Sequence, residues 1–135
     1  MSFYELEHTA DIIVHVSGET LKEVFSSAGT ALMHIMYCGG TGTTIKKTIS
    51  LSEPDIDTLM HDFLSELLFL SECDNIVFST IEVSISGPNL EATLLGEPFN
   101  SERHAGGMEV KGISCSGLHI VKDENGYILD ILFDV

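Results

Sequence analysis

The run Ile76–Leu95, IVFSTIEVSISGPNLEATLL, sets an alternating apolar pattern before the turn formers Gly87-Pro88-Asn89 and a second apolar run after them. Ile81, Val83 and Ile85 recur at every second position, the period of a strand with one face buried. Gly, Pro and Asn suit a tight turn, so the stretch predicts a β-hairpin with Leu90–Leu95 as the returning strand. Strands joined so closely must pair antiparallel, because a parallel pair needs a long crossover.

Upstream, Asp55 is placed to cap a helix whose apolar stripe is Ile56, Leu59, Met60, Phe63, Leu64, Leu67 and Leu68 and which should end near Glu72. Asp57, His61, Asp62 and Glu66 occupy its polar face. Residues 45–51 alternate as a strand, except that Lys47 falls on the apolar face with Ile45, Ile49 and Leu51, which points to a sheet edge. Earlier still, Thr20 and Glu23 have capping-box spacing ahead of Leu21, Val24, Phe25, Ala28, Leu32, Ile35 and Met36, a second helical stripe that Gly39-Gly40 should stop. The β-branched run Ile12–Val16 predicts the first strand.

Downstream, Gly96–Gly107, GEPFNSERHAGG, reads as a polar loop longer than most connections in compact domains and therefore a functional suspect. Val110–Cys115 and Leu118–Val121 predict strands, Asp123–Gly126 a turn, and Tyr127–Phe133 a last apolar strand. Two amphipathic helices among about seven strands predict a single α+β domain spanning residues 1–135, with both helices packed on one face of a mostly antiparallel or mixed β-sheet. Strict βαβ alternation, GxGxxG and P-loop sequences are all missing, which argues against a nucleotide-binding parallel sheet.

Composition narrows the function. The 135 residues are 44% apolar and 20% charged, the balance of a chain that folds. Six Lys and Arg stand against 21 Asp and Glu, a net charge of −15, so phosphates and anionic membrane surfaces are repelled and direct nucleic-acid binding is not expected. A basic protein partner or a cation fits better. Cys38, Cys73 and Cys115 are too widely spaced for a CxxC pair and odd in number, as in a reducing cytoplasm. The N-terminus lacks signal-peptide character, and no run reaches the ~18 apolar residues of a membrane span, so a cytoplasmic protein is expected.

Three clusters carry potential chemistry. Glu7-His8-Thr9-Ala10-Asp11 precedes the first strand; turn capping with a surface histidine explains it as well as a site does. At the other end Asp134 precedes Val135, placing a side-chain carboxylate beside the α-carboxylate. If Asp11 came from a neighbouring strand, the group would suit Ca²⁺ or Mg²⁺, which take oxygen ligands and water, and Asp130 could join; a solvent-facing edge strand with a frayed end is the plain alternative. The third set, Glu97, Glu102, Arg103, His104, Glu109 and Lys111, contains acid/base groups but no HExxH, nucleophile elbow or ordered triad.

Taken in order, His8-Thr9-Ala10-Asp11, Gly96-Glu97-Pro98-Phe99, His104, Glu109-Val110-Lys111 and Phe133-Asp134-Val135 make the chain resemble the archease family from its first strand to its last residue. The resemblance implies a non-enzymatic activating chaperone of the GTP-dependent tRNA-splicing RNA ligase, promoting guanylylation and repeated turnover, with an RNA methyltransferase as a further partner. It also implies a divalent cation, Ca²⁺, Mg²⁺ or Mn²⁺, on Asp11, Asp134 and Val135, with His8, Glu97, His104 and Lys111 as neighbours that contribute to activation. The chain departs from the family pattern at Ser114-Cys115-Ser116, where a Thr-Tyr-His run is common, so the missing imidazole is either dispensable or replaced by His119. Asn100-Ser101 also stands where an acidic residue and proline are common.

The leading expectation is therefore an accessory protein whose acidic surface docks on a basic face of the ligase. A metal-dependent hydrolase, with His8 or His104 moving protons, and a general protein adaptor remain as readings from other classes.

Overall fold

The computed structural model describes residues 11–40 and 42–135. The opening β-branched run forms β1, Asp11–Gly18, and Thr20 then caps α1, Leu21–Met36. The Thr20 hydroxyl accepts from the Glu23 N–H at 3.3 Å, while the Glu23 carboxylate accepts from the Glu19 N–H at 3.0 Å. This is a capping box whose return bond reaches the residue before the cap. Gly39 and Gly40, at φ of 71° and 104°, carry the chain away from the helix end through backbone conformations that side chains oppose.

Next come β2, Ile45–Ser52, and α2, Ile56–Asp74. Asp55 caps α2, its carboxylate accepting from the Thr58 N–H at 3.0 Å and the Thr58 hydroxyl at 2.8 Å. The helix runs to Asp74, beyond the expected end near Glu72, because Asn75 adopts the left-handed conformation (φ 52°) and its N–H still bonds the Ser71 carbonyl. Lys47 is also explained: β2 is an edge strand, and the Lys47 ammonium reaches Asp74 at the helix end, 3.4 Å away.

The hairpin forms as β3, Ile76–Ser86, and β4, Asn89–Pro98, with Ser86 opposite Asn89. A bulge between Phe78 and Thr80 shifts the register, and the Ser79 hydroxyl bonds the Gly42 carbonyl at 2.8 Å. The polar loop is less irregular than expected, since β4 extends to Pro98 and Ser101–His104 form a one-turn helix, α3, capped by Asn100. The strand expected at 110–115 shrinks to β5, Gly112–Ile113, and the one expected at 118–121 is displaced to β6, Val121–Asp123, which overlaps it only at Val121. Both pair with opposite ends of β7, Gly126–Asp134, whose other edge is taken along its whole length by β1. One edge shared by two segments leaves room for only short strands.

The α+β class and antiparallel pairing hold, but the expected single sheet is two: β1-β7-β5, with β6 also on β7, and β2-β4-β3. The division follows from the pairing of β1 with the end of the chain, which takes it away from β2. Both long helices contact both sheets, so one core serves them. Phe25 of α1 and Phe63 of α2 meet with ring centroids 5.8 Å apart, beside fully buried Leu32, Leu64, Ile131 and Phe133. No helix among the described residues is long and apolar enough to cross a membrane.

Two outcomes test this packing. Phe133→Ala empties a fully buried position between β1 and β5 and should cost about 3–5 kcal/mol in denaturant unfolding. At the α2 cap, the Thr58 hydroxyl and N–H hold the Asp55 carboxyl below the ordinary aspartate value of 3.8. A depressed folded value stabilises above the unfolded pKa and is lost as pH falls through the folded one. The stability advantage of wild type over Asp55→Asn should therefore be level at neutral pH and shrink in acid-unfolding curves below about pH 4.

Candidate functional site

Along β1 the outward-facing residues alternate with core residues, and Asp11, Ile13 and His15 stand opposite Asp134, Leu132 and Asp130 of β7. The Asp134 carbonyl is turned toward the other edge, where it accepts the Lys111 N–H at 2.7 Å. Asp11 and Asp134 therefore form the non-hydrogen-bonded type of cross-strand pair, in which side chains approach most closely. Facing like charges on a sheet cost stability unless something positive lies between them.

The two aspartates open onto a cleft of about 420 Å³ completed by Gly112, Ile113, Ser114 and Leu132. Asp134 Oδ1 is buried with no hydrogen-bond partner among the described residues. An orphaned carboxylate oxygen is costly, so this one is suited to a ligand outside the protein's own set. Among the described residues no three His, Cys, Asp or Glu side chains gather in a metal-holding group, and the described side chains that face the cleft with oxygen ligands for a cation are the two carboxylates, Asp11 and Asp134, with the Ser114 hydroxyl beside them. Val135, half-buried against the core, follows directly after Asp134. An all-oxygen donor set of this kind fits a hard cation such as Ca²⁺, Mg²⁺ or Mn²⁺, whose remaining positions water can fill.

Asp130 does not join them. It lies four residues before Asp134, about 13 Å along a strand, and its carboxylate bonds His15 Nδ1 at 2.8 Å. Lys111 is tied to the site through its backbone, and its side chain is exposed. His119 is held at the start of α2, its Nδ1 2.7 Å from the Asp57 carboxylate, while the Ile120 N–H takes the other Asp57 oxygen at 2.8 Å. His8 lies outside the described residues, as do Glu7, Thr9 and Ala10.

Glu97 and His104 form a second group, on the sheet that holds β4 rather than beside β7. Glu97 is buried and accepts from the Gly42 N–H and the Arg103 guanidinium. His104, 1% exposed, accepts the Asn100 N–H on Nδ1 at 2.9 Å, while its buried Nε2, 3.5 Å from the Glu97 carboxylate, makes no hydrogen bond among the described residues. These bonds close the loop on itself, a structural duty that loop spacing alone did not reveal. The signal was present: a Glu in the last turn of a strand, six and seven residues before an Arg and a His, can fold back on both.

The chain matches the sequence profile of the archease protein family over residues 3–135. It is 34% identical over 137 residues to the protein archease of Methanosarcina acetivorans, covering 96% of this chain and 93% of that one. In fold it is similar to the solution structure of a Methanobacterium thermoautotrophicum protein, with a TM-score of 0.74, 24% identity, and coverage of 98% and 96%. It is likewise similar to the crystal structure of a Thermotoga maritima archease described as a possible chaperone, with a TM-score of 0.74, 19% identity, and coverage of 100% and 98%.

Removing Glu97 tests the second group. Glu97→Ala removes the buried charge itself, leaving the Gly42 N–H without that acceptor and the half-exposed Arg103 to water, and should cost about 1–3 kcal/mol in denaturant unfolding. Arg103→Ala takes the guanidinium away from a buried carboxylate and should cost at least as much in the same measurement.

Proposed function

This chain belongs to the archease family, and from that premise we propose that it is a non-enzymatic activating partner of the GTP-dependent tRNA-splicing RNA ligase. In this reading it promotes ligase guanylylation and multiple turnover, and an RNA methyltransferase is a further client. The observation that carries the reading is the facing of Asp11 and Asp134 across β1 and β7, with one Asp134 oxygen buried and without a hydrogen-bond partner among the described residues. Asp11, Asp134 and Val135 would hold a divalent cation, which would supply Lewis acidity and positive charge at the tip of the sheet.

The chain's own groups do the rest. Lys111, the residue before β5, holds Asp134 in place through its N–H, and its exposed side chain stands ready to meet an anionic group at the ligase site. The −15 charge steers association with a basic ligase face, and the charge that attracts the ligase repels RNA. In this reading His8, three residues before Asp11, acts beside that centre, and Glu97 and His104 act from the other sheet by shaping the loop that leads toward it.

The test is multiple-turnover RNA ligation by the cognate ligase with GTP and Mn²⁺. Wild type should stimulate turnover, and Asp134→Ala should not. A cation melt separates the parts: Ca²⁺ or Mn²⁺ at a hundredfold its dissociation constant should raise wild-type stability by about 2.7 kcal/mol and leave Asp11→Asn and Asp134→Asn unmoved. Nucleotide or phosphoester turnover by the protein alone, lost in Asp11→Ala, would replace this reading with a hydrolase.

A further inference from the structure

Five large apolar side chains are exposed among the described residues: Ile13, Phe69, Phe99, Met108 and Val121. Phe99 and Met108 line a single cleft of about 400 Å³, together with Tyr37, Gly107, Glu72 and Glu109. Phe69 sits three residues before Glu72 on α2, one turn away on the same helix face. Two of the five thus share one cleft, and scattered single exposures would need no such explanation.

The cleft is held firmly. The Met108 N–H bonds the Ile35 carbonyl at 2.8 Å and the Cys38 N–H bonds the His104 carbonyl at 2.9 Å, fastening the loop to the end of α1. Gly107 lies so close to the Met36 carbonyl that a Cβ there would overlap it. The Tyr37, Phe99 and His104 rings follow one another at 5.7 and 5.9 Å, and the Tyr37 hydroxyl bonds Ser71 at 2.8 Å. Phe99 and Met108 are therefore presented outward by a braced loop. Glu72 and Glu109 make no ion pair among the described residues, and no Lys or Arg lines the cleft.

We propose that this cleft docks a segment of a partner protein carrying an apolar side chain flanked by Lys or Arg. The apolar anchor covers Phe99 and Met108, and its cationic neighbours meet Glu72 and Glu109, the combination of buried anchor and charged rim that specific interfaces use. A second copy of this chain fits poorly, because six Lys and Arg against 21 acids would bring carboxylate to carboxylate. The surface is separate from the aspartate cleft, with which it shares no lining residue. The two are joined by a short strap, pinned by the Met108 N–H at one end and the Lys111 N–H on Asp134 at the other, with buried Val110 between. The inference concerns this surface alone and stands whether or not the ligase is the partner.

A displayed random-peptide library panned on the wild-type protein tests it, with fluorescence anisotropy of the enriched peptides as the readout. Enriched sequences should pair an apolar residue with neighbouring Lys or Arg, and their affinity should fall with salt. Affinity should drop roughly tenfold or more in Met108→Glu and in the double variant Glu72→Lys, Glu109→Lys, and stay unchanged in Glu91→Gln, an exposed acid on β4 outside the cleft. All substituted side chains of the two cleft variants are exposed, and thermal melts confirm that those variants fold. An absence of enriched peptides, or peptides that bind the cleft variants as well as wild type, overturns the proposal. So does sedimentation showing a wild-type dimer that Met108→Glu dissolves, which assigns the cleft to a second copy.

Discussion

The antiparallel pairing of β1 with β7 joins the start of the described chain to its end, residue for residue from Asp11 opposite Asp134 to Gly18 opposite Tyr127. Because side chains alternate along both strands, this one register places Val16, Leu129, Ile131 and Phe133 in the core and Asp11 and Asp134 on the opposite face. A slip by one residue would exchange the two sets, burying aspartates and exposing phenylalanine. Apolar burial on the inner face thus holds together two carboxylates that repel each other on the outer one.

The second sheet contributes by bracing. Its strand β4 delivers Glu97 to a loop that bonds its own Arg103 and His104 and then fastens to the end of α1. From there the chain runs through buried Val110 to β5, whose neighbour is Asp134. The aspartate cleft and the cleft around Phe99 and Met108 are consequently two openings of one braced connection.

Much of the local structure was legible before any fold was known. Thr20 and Asp55 cap the helices as their spacing indicates and Gly87-Pro88 turns the hairpin, whereas the first helix ends at Met36, with extended Tyr37 as its C-cap, before the expected Gly39-Gly40 stop. Each of these is decided by neighbours within a few residues, so each is written in a short window. Lys47, out of place in the alternation, made sense only with Asp74 beside it, 27 positions along the chain. The strands expected at 110–115 and 118–121 were overextended for a related reason: apolar residues such as Val110, Leu118 and Ile120 are buried there without strand pairing, and apolar pattern alone does not distinguish the two.

The sequence by itself determined most of the elements, the α+β class, the net charge of −15, and the carboxylates near either end of the chain. Tertiary structure alone decided that the strands divide into two sheets, that Asp11 stands opposite Asp134 while Asp130 turns to His15, and that Glu97 and His104 serve the loop. The physical reason is range. Capping, turns and periodicity are settled by interactions within a few residues, whereas register between strands more than a hundred positions apart is settled by the burial of the whole core at once.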